Sequence, residues 1–209
     1  MPYKVKSTAE IAAIMKRIEA IHVVSDRDLM VCEAIDSLLD RDEAGNVVAL
    51  PRRFTGGLEC RGLAVSDASG GGKTRILRDN LMKNPVLGPS ATGVARFVHV
   101  TVPSPATLKN LGCEILRKTG YRDISERRER WSIWNIVRNR LQSLGIVVLW
   151  IDEAHDMIRT KTEVEDLLKT LKRLMQGDQG VIVVLSGTER LLDLVYSDDE
   201  VQQIGRAHV

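Results

Sequence analysis

Long apolar runs are missing from this sequence. No stretch approaches the roughly 18 apolar residues that a membrane-spanning helix requires. The opening Met1-Pro2-Tyr3-Lys4-Val5-Lys6 lacks the apolar region of a secretory signal. Cysteine is scarce: Cys32, Cys60 and Cys113 are odd in number and far apart, which suits reduced core thiols better than disulfides or a metal site. Aromatic residues make up only 4% of the chain. An excess of either charge is lacking too, because 30 Lys and Arg face 28 Asp and Glu for a net charge of +2. Any nucleic-acid footprint must therefore be local. There is no internal repeat and no low-complexity tract. What is present, 44% hydrophobic and 28% charged residues over 209 positions, fits one ordinary domain with a small extension and a proper core. The expected location is the cytoplasm.

Hydrophobic periodicity sets out the chain. Residues 7–22 and about 25–40 read as amphipathic helices, started by Ser7 with Glu10 and by Ser25 with Asp28. They form either a helical pair packed on the core or an arm that docks on a partner. A polar break at 40–46 leads into an irregular connection over 47–57, and then into a strand at about 60–66. Further strands are expected at 96–102, 146–151 and 181–185, with helices at 75–84, from Ser104-Pro105 to Gly120, at 125–144, behind a Thr162/Glu165 capping box, and at 191–195. Strands and helices alternate, which predicts an α/β fold with a mostly parallel sheet and helices on both faces. The domain reading is a helical extension over 1–45 and a nucleotide-binding core over 46–209.

Three stretches carry chemistry. Ser66-Asp67-Ala68-Ser69-Gly70-Gly71-Gly72-Lys73-Thr74 lies between a strand and a helix start, where backbone amides and the helix dipole favour an anion. Ser69, Gly70, Gly71, Gly72, Lys73 and Thr74 are the candidate phosphate cradle, with Lys73 on the β/γ-phosphates and Thr74 on Mg²⁺. The G-x-x-x-x-G-K-[ST] pattern is met except at its first glycine, where Asp67 stands. Next, Ile146-Val147-Val148-Leu149-Trp150-Ile151 reads as a doubly buried parallel strand that ends in Asp152-Glu153. Asp152 is placed to hold Mg²⁺, and Glu153 to polarise the water that attacks the γ-phosphate. His155 reads as a helix-edge residue. The strand at 181–185 ends in Ser186-Gly187-Thr188, whose hydroxyls either touch the γ-phosphate or cap the next helix. Lys73, Glu153 and Thr188 are the catalytic candidates.

In this order the three stretches resemble the AAA+ branch of P-loop ATPases. Gly70–Thr74, Trp150 to His155 and Leu185 to Arg190 look more closely like the TniB family, ATP-binding helpers of transposition related to TnsC and MuB. The resemblance covers roughly residues 25–206. It implies an ATPase that uses ATP and Mg²⁺, assembles as a homo-oligomer on DNA without strong sequence preference, and engages a transposase. A complete module of this kind has a fifth strand and a helical lid. Neither is legible here, so the core is expected to be truncated and its turnover weak. Arg206 lies in the neighbourhood where such folds often keep an arginine for a neighbouring subunit's γ-phosphate.

The segment from Glu114 to Arg140 is rich in arginine, with the acids Glu114, Asp123, Glu126 and Glu129 among the basic residues. It is either a solvated helix face or a contact for DNA phosphates. Trp131 and Trp134 read as core residues. Two other functions stay open: an AAA+-like ATPase of replication loading or secretion, and a nucleotide-binding remnant without turnover.

Overall fold

In the computed structural model, the residues described are 7–21, 23–89, 93–122, 124–125, 127–158, 161–192 and 204–208. Two helices come first, α1 (Thr8–Ala20) and α2 (Asp26–Leu38), followed by a small antiparallel hairpin, β1 (Leu39–Arg41) and β2 (Val47–Pro51). The hairpin corrects the irregular connection expected at 47–57. Asp42 makes the turn, its carboxylate accepting the amides of Ala44 and Asn46 at 3.0 and 2.8 Å.

The core is a five-stranded sheet in the order β4-β5-β6-β3-β7. Its strands are β3 (Gly62–Ser66), β4 (Phe97–Thr101), β5 (Val148–Asp152), β6 (Ile182–Gly187) and β7 (Ile204–His208), every pairing parallel. The helices between them are α3 (Lys73–Lys83), α4 (Leu108–Lys118), α5 (Arg130–Ser143) and α6 (Lys161–Met175). The expected parallel sheet with helices on both faces is what the chain forms. The expected loss of the fifth strand is corrected: β7 lies beside β3, with Arg206 level with Ala64. Five residues that include a glycine, an arginine and a histidine carry no apolar run. Their strand comes from pairing with β3, a tertiary fact.

Pleating distributes the strand residues between two cores, since successive side chains point to opposite faces. Val148 and Trp150 of β5 join Leu63 and Val65 of β3 under α2 and α3, where Val31, Ile35, Leu77 and Leu81 are buried. Leu149 and Ile151 instead face α4, α5 and α6, with Leu111, Ile133 and Leu171. Trp150 is fully buried. Helix α2 is thus part of a core layer, whereas Ile11, Met15 and Ile18 on α1 are exposed. Trp134 is buried, its indole N–H donating to the Leu108 carbonyl at 3.1 Å, but Trp131 is exposed, contrary to the core reading.

Local signals moved by a few residues. The Ser104–Pro105 peptide is cis, and α4 starts only at Leu108, capped by Thr107, whose hydroxyl accepts the Asn110 amide at 3.2 Å. Thr162 lies inside α6 and does not cap it. The helix expected at 191–195 is helical at 190–192, and the rest of it lies outside the described residues, as do Asp123 and Glu126.

Candidate nucleotide site

Strand β3 passes through a tight loop into α3. The loop can turn because Gly72, the N-cap of α3, has φ 84°, a left-handed backbone that side chains disfavour. Packing is equally restrictive at Gly71, where a Cβ would lie 1.9 Å from Asp67 Oδ2. Lys73 is buried, and its ammonium is held by the carbonyls of Asp67 and Ala68 at 3.0 and 2.9 Å. Two carbonyl partners leave donor capacity for a third acceptor.

At the end of β5, Asp152 is the centre of a buried network. Its Oδ2 accepts the Thr74 hydroxyl at 2.8 Å, and its Oδ1 accepts the Ser186 hydroxyl at 2.6 Å and the Glu153 amide at 3.0 Å. Ser186 in turn accepts the Trp150 indole N–H at 2.7 Å. His99 stacks on Trp150 with ring centroids 3.7 Å apart, and its Nε2 lies 3.7 Å from Asp152 Oδ2. Burial, the largest single influence, works to raise the Asp152 pKa. His99, the Ser186 and Thr74 hydroxyls and the Glu153 amide together outweigh it and hold the carboxyl at about 2. The carboxylate is therefore charged at neutral pH.

Glu153 follows with φ 56° and ψ 37°, the one non-glycine residue with positive φ among the described residues. Such a backbone costs roughly 1–3 kcal/mol and concentrates at functional sites. The bend swings the Glu153 side chain toward His155, whose Nδ1 lies 3.3 Å from Glu153 Oε2. The same nitrogen accepts the Thr188 amide at 3.4 Å. One ring nitrogen cannot accept from an amide and donate to a carboxylate at once, so the two contacts are alternatives.

A cavity of about 650 Å³ gathers these elements. Ser69, Gly70, Gly72, Lys73, Thr74, Glu153 and Thr188 line it, together with Arg75, His155 and Asp156. Asp152 lies behind Thr74, and Gly71 closes the loop around Asp67. Residues from three separate stretches thus meet at the C-terminal ends of β3, β5 and β6, where parallel sheets bind ligands. Ser186 neither caps a helix nor lines this cavity; its hydroxyl is committed to Asp152 and Trp150. Thr188 Oγ1 is buried without a hydrogen-bond partner, as are Ser66 Oγ and His99 Nε2. His155 lies in the short helix Ala154–Met157, as its helix-edge reading expected, but its contact with Thr188, 33 positions away, has no signal in the local pattern.

Fold and loop together define a P-loop nucleotide-binding domain of the AAA+ kind. Residues 59–195 match the family model described as "AAA domain", and the chain belongs to that family. No curated protein matches it in sequence. Among solved structures it is similar to the ORC1 protein of Aeropyrum pernix in complex with DNA, with a TM-score of 0.60 at 14% identity, covering 90% of this chain and 45% of that one. The ORC2 protein of Aeropyrum pernix in its ADP form follows at TM-score 0.53 and 18% identity, covering 82% of this chain and 53% of that one. Cdc6p from Pyrobaculum aerophilum gives 0.51 at 18% identity, covering 69% and 38%. The chain therefore spans about half or less of these proteins, and the likeness is one of fold.

Proposed function

We propose that this protein binds ATP with Mg²⁺, hydrolyses it, and assists DNA transposition by binding target DNA and engaging a transposase. The observation that carries the ATPase reading is the convergence of Lys73, the Thr74–Asp152 pair, Glu153 and Thr188 around one cavity. Two hard oxygen donors 2.8 Å apart suit Mg²⁺, which keeps several waters and takes its other ligands from phosphates. Thr74 and Asp152 are the residues that would hold it. Bound there, the ion would supply charge neutralisation on the phosphate oxygens. Lys73 and the amides of Ser69–Gly72 bind the phosphates. Glu153 orients the attacking water and takes its proton, and the unpartnered Thr188 hydroxyl is free to bond the water or the terminal phosphate.

The DNA reading is supported by the charge on the α4–α6 layer. A groove of about 400 Å³ between α5 and α6 is lined by Arg130, Arg138, Lys169 and Arg173 beside the exposed Trp131. Lys109, Arg117 and Arg122 line a second one along α4. Several arginines of the cluster already have partners: Arg140 donates to the Thr119 carbonyl at 2.7 Å, Arg130 pairs with Asp166 at 2.7 Å, Arg117 with Glu114 at 3.1 Å, and Arg138 donates to the Gln176 carbonyl at 3.2 Å. The ORC1 relative was solved with DNA, which agrees with DNA as a partner. The transposition role and the homo-oligomer rest on the TniB-like motifs, and a cytoplasmic location accords with the absence of a helix long and apolar enough to cross a membrane among the described residues. Residues 1–45 act in this reading as the extension of a core over 46–209.

The test is ATP hydrolysis with and without double-stranded DNA for the wild type, Lys73→Ala and Glu153→Gln, alongside particle size under the same conditions. Expected are DNA-stimulated turnover, loss of ATP affinity in Lys73→Ala, and loss of turnover with retained binding in Glu153→Gln. Affinity for DNA should fall linearly with salt on a log–log plot, and a transposase partner should be stimulated in strand transfer by the protein only when ATP is present. A monomer under every condition overturns the assembly reading, and equal activity in wild type and Glu153→Gln overturns the role of Glu153.

A further inference from the structure

Asp67 is the one residue of the phosphate loop that contradicts the loop's purpose. Its carboxylate does not point away into solvent. Oδ1 accepts the Ala68 amide at 2.7 Å, and Oδ2 occupies the space where a side chain on Gly71 would sit. Only 13% of the side chain is exposed. A negative charge is thereby built into the body of a cradle whose amides, ammonium and helix N-terminus otherwise attract anions.

Among the described residues, one cation meets it. Arg27, in the first turn of α2, places Nη1 3.0 Å from Asp67 Oδ2. The approach is fixed from behind, because α2 is anchored in the core by Val31, Ile35 and Leu38. Its N-terminus is tied by Asp28, which accepts the Ser25 amide at 2.9 Å. A second tie runs nearby: Arg75, beside Thr74 in α3, donates to the Ile21 carbonyl at 2.7 Å. The segment leading into α2 is thus held against the helix that carries the loop.

We propose that Arg27 is a positioning residue of the nucleotide site: by neutralising Asp67 it lets a loop with a built-in carboxylate accept the phosphates of a nucleoside triphosphate. This rests on the nucleotide reading given above. Half-exposed ion pairs contribute little to stability, so the pair's consequence is local and electrostatic. A phosphate chain carries several negative charges, and each of them feels the unmasked carboxylate. Charges within about 4–6 Å shift ionisation equilibria by one to three decades, and an effect of about tenfold or more on phosphate binding is of the same kind. Arg27 need not touch the nucleotide at all.

The experiment is a double-mutant cycle read by titration with ATP. Arg27→Ala should weaken ATP binding about tenfold, Arg27→Lys should restore most of it, and the loss should shrink as salt rises because the site is solvent-accessible. In the Asp67→Asn background, Arg27→Ala should change affinity by less than about twofold. Thermal melting of each variant guards against a folding defect, with melting temperatures expected within a few degrees of the wild type. Unchanged affinity in Arg27→Ala overturns the inference, and so does an equal loss in both backgrounds, which would mean that Arg27 acts on the nucleotide or on α2 directly. If the wild type itself fails to bind ATP, the nucleotide reading falls and this inference with it, an outcome separable from the other two.

Discussion

The Ser186 hydroxyl donates to Asp152 Oδ1 across 2.6 Å, joining the ends of two neighbouring strands below the phosphate loop. Because Ser186 also accepts from the Trp150 indole, one hydroxyl satisfies a buried carboxylate and a buried N–H at the same time. Removing it in Ser186→Ala orphans the Trp150 N–H and leaves the Asp152 carboxylate with only the Thr74 hydroxyl and the Glu153 amide. The expected cost is about 2–3 kcal/mol, since unsatisfied buried groups lose more than the net worth of a bond. For a chain of this size that is a fall of roughly 5–10 °C in melting temperature. A scan of the Ser186→Ala variant without nucleotide checks it, and a loss below a couple of degrees would mean that water replaces the hydroxyl.

Acid should act through Asp152. Its folded pKa of about 2 lies below the ordinary carboxylate value of 3.8. Above that ordinary value both states are deprotonated and the stabilisation is fully present. Between the two values the unfolded chain binds more protons at this site than the folded chain does, so stability falls with pH. The stabilisation is lost as pH falls from about 4 through 2, by on the order of 2 kcal/mol. Urea unfolding followed down to about pH 2.5 should show this decline in the wild type and a flatter acid limb in Asp152→Asn. At neutral pH the same variant should lose Mg²⁺-dependent nucleotide binding.

Thr188 offers a case where stability and function pull apart. Its hydroxyl is buried with no partner, a cost that a bound ligand's acceptor would relieve. Thr188→Val keeps the shape and removes the orphan. The variant should be as stable as the wild type or up to about 1 kcal/mol more so, while ATP turnover falls by about tenfold or more. Calorimetry and steady-state hydrolysis on one preparation read both. A clear loss of stability would show that the hydroxyl is already hydrogen-bonded in solution.

His155 should matter to turnover without mattering to binding. Its Nδ1 faces Glu153 Oε2 and the Thr188 amide as alternative partners, so the ring limits where the Glu153 side chain can lie. His155→Ala frees the Glu153 side chain. Turnover is expected to drop roughly tenfold with ATP affinity within about twofold of the wild type. Equal losses in both would make His155 a binding residue.

The geometry of the candidate site was legible wherever it is encoded within a few consecutive residues. Gly70–Thr74 is a turn running into a helix start and Asp152-Glu153 a strand end because local backbone demands and a run of apolar residues specify them. The order of the stretches then predicted their meeting, since a parallel sheet brings its strand ends to one edge. What escaped notice depends on distance in sequence. Arg27 and Asp67 are 40 positions apart, and His155 and Thr188 are 33 apart. Strand β7 has no apolar signature, and only β3 makes it a strand. Ser186 and Thr188 look alike in sequence, yet Ser186 lies within β6 and joins the core network, whereas Thr188 lies past the strand's end and lines the cavity.

Glu153 allows strain and chemistry to be separated by two substitutions. Its left-handed backbone, φ 56°, is anchored on one side by its own amide donating to Asp152 and on the other by its carbonyl accepting the Asp156 amide at 3.0 Å. Glutamine keeps the size and the strain but cannot take a proton. Asparagine also cannot take one, and it tolerates this backbone better than most side chains. Both variants should lose turnover. Their stabilities should differ, with Glu153→Gln close to the wild type and Glu153→Asn about 0.5–1 kcal/mol more stable, a rise of roughly 1–4 °C. If the asparagine variant is no more stable than the glutamine variant, the positive φ carries no strain. If it is more stable and inactive, the bend that aims Glu153 at the cavity is maintained at the expense of stability, as expected of a residue placed for chemistry.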